Sequence, residues 1–279
     1  MLQQQEKTKD NMKKRLDLHL HTTASDGTWD IDTLLEKLRE KGIGIFAVTD
    51  HDELGSTRAL WEKRHTIPET FVPGVEVSVT HEGQEYHLTT YAFDPAEGGV
   101  AAVVEENRRR REAFNINLIR YIAEQCEEVS PEDYEAYTHE RKRGGWKALM
   151  YLMDRGAIAD MREFFMTVMR RGVRMEFLSP GEVIPRLHEA GARVMLAHPS
   201  VYHRGRMDET ELDNWAEKGI DGFECYSSQI RPKDSRYYVD YCDRKGLMIT
   251  GGSDCHGDFV NRPLGEPRVT RDDIRVDFL

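Results

Sequence analysis

No stretch of the 279 residues approaches the roughly 18 uninterrupted apolar residues that a membrane-crossing helix needs. The N-terminal MLQQQEKTKDNMKKR also lacks the apolar centre of a secretion signal. Together these absences predict a cytoplasmic protein, with a polar tail over residues 1–14 and no membrane partner. Cysteine is sparse: Cys126, Cys225, Cys242 and Cys255 are scattered without CxxC spacing, in a chain far larger than disulfide-stapled scaffolds, so reduced thiols are expected. A positive balance is missing too. With 39 Lys and Arg against 50 Asp and Glu, the net charge of -11 disfavours an electrostatic grip on long nucleic acid and leaves short or local anionic substrates open. The chain has no internal repeat and no low-complexity segment.

What is present is an alternation of short apolar runs and helical patterns. RLDLHLHT reads as a strand, DIDTLLEKLREKG as a helix and GIFAVTDH as a second strand. Within the helix Ile31, Leu34, Leu35 and Leu38 follow the i, i+3, i+4, i+7 spacing of one apolar face, and Gly42 supplies the stop. TFVPGVEVSV and EYHLTTYAF read as two strands joined at Gly83. From about Asp94 to Phe177 the pattern is charged and helical, and after Pro180 the alternation resumes through ARVMLAHP, DGFECYSS and LMITGGSDCH. The organisation expected is an α/β barrel in two parts, residues 15–94 and 179–279, interrupted by a helical insertion over 95–178. Ser179, Pro180 and Glu182 predict a capped helix start, and Pro185 predicts a kink or a short first turn.

The predicted strands finish in side chains that bind metals: His19 and His21, Asp50-His51-Asp52, Glu76, His87, His198, and Asp254 with His256. In barrel folds the C-terminal strand ends meet on one face, so these distant residues share a pocket. Residues i and i+2 of a strand point the same way, which lets His19 and His21 bind one ion. Glu76 interrupts an apolar run, and a buried carboxylate needs a partner. Asp26 lies in a Ser-Asp-Gly turn that is ordinary by itself but becomes a ligand candidate beside the HxH pair. The pattern predicts a site for several metal ions, with manganese, iron or zinc all suited to a His and carboxylate set. Asp50 and Asp52 are expected to orient an imidazole or cap the next helix, and Cys255 to point away from the pocket. Of the remaining histidines, His65, His81, His139 and His188 are expected at the solvent, and His203 at the pocket rim.

HLHTTASDGT, AVTDHD, PGVEVS, EYHL, AHP and GGSDCHG, taken in order, resemble the PHP (polymerase and histidinol phosphatase) superfamily, and most closely its small stand-alone metal-dependent phosphoesterases acting on nucleotides. The resemblance runs from about Arg15 to the end, apart from the helical insertion. It implies a distorted (β/α)7 barrel holding two to three divalent metal ions. Carried over by position, His19, His21, Glu76 and Asp254 hold a first ion; Glu76, His87 and His198 a second; Asp26, His51 and His256 a third. The RPH-type segment of that branch is here KRGGWKALMYL, where Arg143 and Lys147 are the candidates to close over the phosphate or the leaving group. The implied reaction is hydrolysis of a phosphate monoester of a nucleotide or short oligonucleotide by metal-activated hydroxide, with Glu76 and Asp254 at the catalytic centre. Competing readings are a histidinol-phosphatase-like phosphatase of small metabolites, an amidohydrolase-type metal hydrolase and a metal-stabilised binding module. The amidohydrolase reading lacks a bridging lysine at a mid-chain strand end, and the binding module is at odds with a fully occupied set of ligand positions.

Overall fold

The computed structural model describes residues 15–172, 174–203 and 205–279, so the polar tail expected at 1–14 lies outside the described residues. Eight strands form one sheet in the order β7-β6-β5-β4-β3-β2-β1-β8. They are β1 (Arg15–Asp17), β2 (Ile45–Val48), β3 (Thr70–His81), β4 (Gln84–Tyr91), β5 (Arg193–Leu196), β6 (Gly222–Ser227), β7 (Met248–Gly252) and β8 (Val269–Thr270). The chain just beyond β1 closes this sheet onto β7: the Leu18 amide donates to the Gly251 carbonyl, and Leu20 bridges Cys255 in parallel. Leu16, Leu18, Ala47, Val72, Tyr91 and Met195 fill one of the apolar clusters within the barrel. The expected α/β barrel is therefore present. Its distortion has a simple cause, since β4 pairs antiparallel with both β3 and β5 while β1–β2, β2–β3, β5–β6 and β6–β7 are parallel.

Local rules account for the helices around it. Helix α1 (Ile31–Lys41) starts at Asp30, whose side chain accepts from the Thr33 amide, and stops at Gly42 in the left-handed conformation. Its apolar stripe is buried at Leu34, Leu35 and Leu38. Helix α2 (Gly55–Lys63) follows β2. Beyond β4 come α3 (Gly98–Ala123), α4 (Pro131–Ala136), α5 (Lys147–Asp154) and α6 (Met161–Arg171), with no strand among them. Then α7 (Pro180–Glu189), α8 (Glu209–Glu217) and α9 (Pro232–Lys245) alternate with β5, β6 and β7. The capping box at Ser179 and Glu182 forms, but α7 runs unbroken through Pro185 rather than stopping short. The amide that proline lacks leaves only the Gly181 carbonyl unbonded, and Gly181 is at the surface where water replaces it.

Helix α3 ties the helical block to the barrel. Its first turns contribute Val100, Val103 and Val104 to the core shared with β3 and α7. Its later turns contribute Phe114, Leu118, Ile119 and Ile122 to a separate core with Tyr134, Leu149 and Tyr151. The block between β4 and β5 thus has its own apolar centre, and the first half of α3 packs as part of the barrel.

One glycine position is dictated by the closure of the barrel. A Cβ on Gly252, in GGSDCH, would lie 2.4 Å from both the backbone nitrogen and the Cβ of His19. Gly252→Ala is predicted to destabilise the fold by about 1–3 kcal/mol through overpacking and to displace His19. Thermal denaturation checks this, and an unchanged midpoint contradicts it.

Candidate metal centre and active-site cleft

The residues following β1 enter the site first. Beyond Asp17 the backbone is fixed on one side by β7 and on the other by Thr49, which sends the fully buried rings of His19 and His21 to one point. Glu76 is the side chain they meet there, in the middle of β3 and without solvent exposure. Its Oε2 lies 3.1 Å from His19 Nε2, 3.2 Å from His21 Nε2 and 3.2 Å from His51 Nδ1. Its Oε1 lies 3.1 Å from His87 Nδ1 and 3.0 Å from His198 Nε2. Five imidazoles converge on one carboxylate. Asp254 Oδ1 adds a second carboxylate at 3.1 Å from His21 and 3.4 Å from His19. Asp26 extends the cluster outward, 3.4 Å from His256 and 3.5 Å from His21.

Glu76 and His87 are not at strand ends as expected. The β3–β4 hairpin projects past the point where β2 stops, so the lip of the barrel crosses β3 at Glu76, which bridges His51, and crosses β4 at His87. Because β4 runs antiparallel, its first half faces that lip. His198 and Asp254 do follow β5 and β7, and both have positive φ, +28° and +55°. Asp52, beside His51, is also left-handed at +45°. Such conformations cost about 1–3 kcal/mol each for residues with a side chain and persist where the surroundings enforce them. Here the Asp254 amide is held by the His19 carbonyl and the His198 amide by Glu224.

The donor set fits divalent cations. His19 Nε2, His21 Nε2, His51 Nδ1, His87 Nδ1 and Glu76 Oε2 are all buried without a hydrogen-bond partner, and a metal would supply one. Three groups bring their ligand atoms within 4.8 Å of one another: His19, His21, Glu76 and Asp254; His21, Asp26, His51 and His256; His51, Glu76 and His87. Outer partners set the ring tautomers. His19 Nδ1 donates to Glu224 at 2.9 Å, His87 Nε2 to Glu85 at 3.1 Å and His256 Nδ1 to the Asp254 carbonyl at 2.8 Å, which turns the opposite nitrogen of each ring toward the cluster, where a cation would take it.

Electrostatics follow from this crowding. Burial opposes a charge on His21, yet Asp254 and Glu76 hold its pKa up at about 9. At His87 burial is likewise outweighed, by Glu76 and Glu85, and the value is about 10. His51 goes the other way, to about 3, because burial and the neighbouring His21 and His87 outweigh Glu76 and Asp26. Burial alone would raise Glu76, but His19, His51 and His87 hold it well below the usual carboxylate range.

Several residues at the site lie away from the strand ends that mark the rest. Glu224, fully buried on β6, accepts from the His19 ring and, at 2.7 Å, from the His198 amide. Its signal was the same as that of Glu76, an acid inside an apolar run. Asn107, Arg111 and Asn115 form a polar stripe at i, i+4, i+8 of α3. Asn107 donates to Asp52 and to the Ser78 carbonyl, both at 2.7 Å, while Arg111 donates to Asp52 at 2.7 Å and to Ser78 Oγ at 3.0 Å and lies over Phe177. Asp52 therefore anchors α3 and does not orient an imidazole or cap a helix. Asp50 instead holds the 22–25 turn, accepting from the Thr22 amide and hydroxyl and from Ser25 Oγ. Cys255 is buried in the core with Leu20, away from the cluster, as expected.

A cleft of about 670 Å³ opens beside Asp26 and His51 and is walled by Arg108, Arg111, Arg141 and Lys147. Lys147 lines it, with Nζ 3.2 Å from the Glu135 carbonyl and over the Tyr134 ring. Arg143 does not, since both of its terminal nitrogens donate to Asp154 at 2.7 Å. His139, expected at the solvent, lines the cleft, while His203 turns away to Glu211.

A sequence model of the PHP domain matches residues 17–177, more than half of the chain. The chain belongs to the PHP domain family. Among relatives of this PHP protein, a 5′-3′ exoribonuclease Rnm of Salmonella typhimurium is 28% identical over 86% of the chain and 84% of its own length. A 3′,5′-nucleoside bisphosphate phosphatase of Chromobacterium violaceum is 28% identical over 86% of the chain and 87% of its own length. Among solved structures, a metal-dependent phosphoesterase of Bifidobacterium adolescentis superposes with a TM-score of 0.77 at 25% identity, covering 92% of this chain and 93% of that one. No described helix of the PHP chain is long and apolar enough to cross a membrane.

Two outcomes are predicted. Glu224→Gln keeps the volume but removes the charge behind His19 and should weaken manganese binding by about 10–100-fold with little change in melting temperature; chelator competition measures it, and unchanged affinity contradicts the positioning role. Because the pKa values of His21 and His87 are raised, cations must displace protons there below about pH 9, so affinity should rise by up to about tenfold per pH unit for each proton released. Calorimetric manganese titrations between pH 6 and 8 check this, and a flat profile contradicts it.

Proposed function

We propose that the chain hydrolyses a phosphate monoester carried by a nucleotide or short oligonucleotide, using two to three divalent ions of manganese, iron or zinc. The observation that carries this reading is the convergence of five imidazoles on the buried Glu76 carboxylate, next to a cleft that the cluster enters through Asp26 and His51. His19, His21, Glu76 and Asp254 would hold one ion, Glu76 with His87 and His198 a second, and Asp26, His51 and His256 a third. When bound, such ions make hydroxide available near neutral pH and neutralise charge on phosphoryl oxygens. The chain is a metal-dependent phosphoesterase on this account, in keeping with its family and with the activities for which its relatives are named.

The protein's own side chains divide the remaining work. Arg111 is held by Asp52 and Ser78 while it lines the cleft beside Asp26 and His51, so its guanidinium is pre-oriented toward a non-bridging phosphoryl oxygen at little entropic cost. Arg141 and Lys147 are cations on a cleft wall that also carries Glu53, Glu105 and Glu112, with Arg108 paired to Glu53 and Glu105. A few placed charges rather than a broad positive field therefore meet the substrate, and with a net charge of -11 this favours a small anion over a long polyanion. Arg143, paired with Asp154, is given a structural role in the helical block.

His19→Ala and Asp254→Ala should each abolish phosphate release from nucleoside monophosphates with the fold retained, and chelator should do the same to the native chain. Near-native turnover in either variant would remove that residue from the site. Lys147→Ala should raise KM several-fold without lowering metal content, and an unchanged KM would return it to the packing around Tyr134.

A further inference from the structure

Among the described residues, the exposed large apolar side chains are concentrated on α6. Of the six large apolar side chains that stand out at the described surface, Met161, Phe165, Met166 and Met169 all lie on α6, with Phe165 52% and Met169 73% exposed. Three of them, at 161, 165 and 169, repeat every four residues and so form one stripe. The stripe does not stand alone. Phe165 packs 5.9 Å, ring to ring, from Trp146, and Phe164 behind it braces the same indole edge-on at 5.1 Å. Trp146 is only partly buried and lines the cleft that contains Asp26 and His51. Its position is fixed relative to the metal cluster, because the amide of the adjacent Gly145 donates to the Asp26 carbonyl at 2.8 Å and Arg141 Nη1 donates to the Ala24 carbonyl at 2.8 Å.

Trp146 therefore stands on the cleft wall one residue from the contact with the Asp26 loop, and Phe165 continues its aromatic surface outward onto the exposed face of α6, with Arg108, Arg141 and Lys147 also lining the cleft. An exposed apolar patch of this kind marks a binding surface. A ligand that fits must be anionic where it meets the imidazoles and arginines, and flat and apolar on its faces where it meets Trp146. The geometry points to Trp146, backed by Phe165, as a stacking subsite for the base of the nucleotide whose phosphate occupies the metal cluster. This deepens the phosphoesterase reading and rests on it. Stacking accepts any base, since each has a π-face, so the subsite distinguishes nucleotides from base-free sugar phosphates without selecting among bases.

The test compares AMP with ribose 5-phosphate in the manganese-loaded protein. Native kcat/KM should favour AMP by about 5- to 100-fold. Trp146→Ala should abolish that preference through KM for AMP while leaving ribose 5-phosphate unchanged, and Trp146→Phe should retain most of it. Independently of turnover, AMP but not ribose 5-phosphate should quench tryptophan fluorescence in chelator-treated protein, and Trp146→Phe should remove that quench. Release of phosphate from both substrates at equal efficiency overturns the subsite but not the phosphoesterase reading. Absence of release from any phosphate ester overturns both. A dimer in sedimentation that Phe165→Ser disperses, with the AMP preference intact, overturns the subsite by assigning the α6 face to a second copy of the chain.

Discussion

A carboxylate removed entirely from water is the constraint around which the molecule is organised. Glu76 has no exposed surface, and an unpaired charge in that position would cost several kcal/mol. Its two oxygens are instead approached by His19, His21, His51, His87 and His198, each at 3.0–3.2 Å. These rings come from four separate segments of chain, so the barrel cannot close in another register without stranding the charge. The same crowding also makes the site receptive to cations, since several buried ring nitrogens face inward while an outer partner fixes the other nitrogen.

The fold supplies this convergence through departures from regularity. The long β3–β4 hairpin brings Glu76 and His87 to the lip from mid-strand, and left-handed backbone at His198 and Asp254 turns two side chains back toward it. Strain of this sort is tolerated where hydrogen bonds hold it, and Glu224 and the His19 carbonyl do so here. The helical block adds the cleft. Its Arg141–Trp146 segment binds the 23–26 turn through backbone carbonyls, so the walls of the substrate cleft are positioned by the same loop that carries Asp26.

Much of this was legible in the sequence, for a physical reason. Histidines and acids that end or interrupt apolar runs are costly unless they are used, which is why His19, His21, Glu76, His198 and Asp254 stood out. The apolar spacing of Leu34, Leu35 and Leu38 and the stop at Gly42 marked α1 just as plainly. The antiparallel sense of β4 did not show, because residue alternation does not encode strand direction. Glu224 obeys the same rule as Glu76, an acid inside an apolar run, but lies within β6 rather than at its end, where strand-end reasoning does not look. Arg111 and Asn107 were hidden among charged residues on α3, where burial depends on the helix's tertiary placement. Arg143 and Lys147 illustrate the same point, since two basic residues four apart face different neighbours, Asp154 and the cleft.

The central claim is that Glu76 is the shared anchor of a divalent metal cluster, and metal stoichiometry tests it most directly. The chain should be equilibrated with manganese, freed of unbound ions and assayed by elemental mass spectrometry alongside Glu76→Ala, with circular dichroism to verify that the variant is folded. The account predicts about two to three equivalents per native chain and no more than about one in the folded variant, because two of the three proposed ion sites share this carboxylate. A native chain that retains less than about one equivalent, or a folded variant that retains the full native complement, would contradict it.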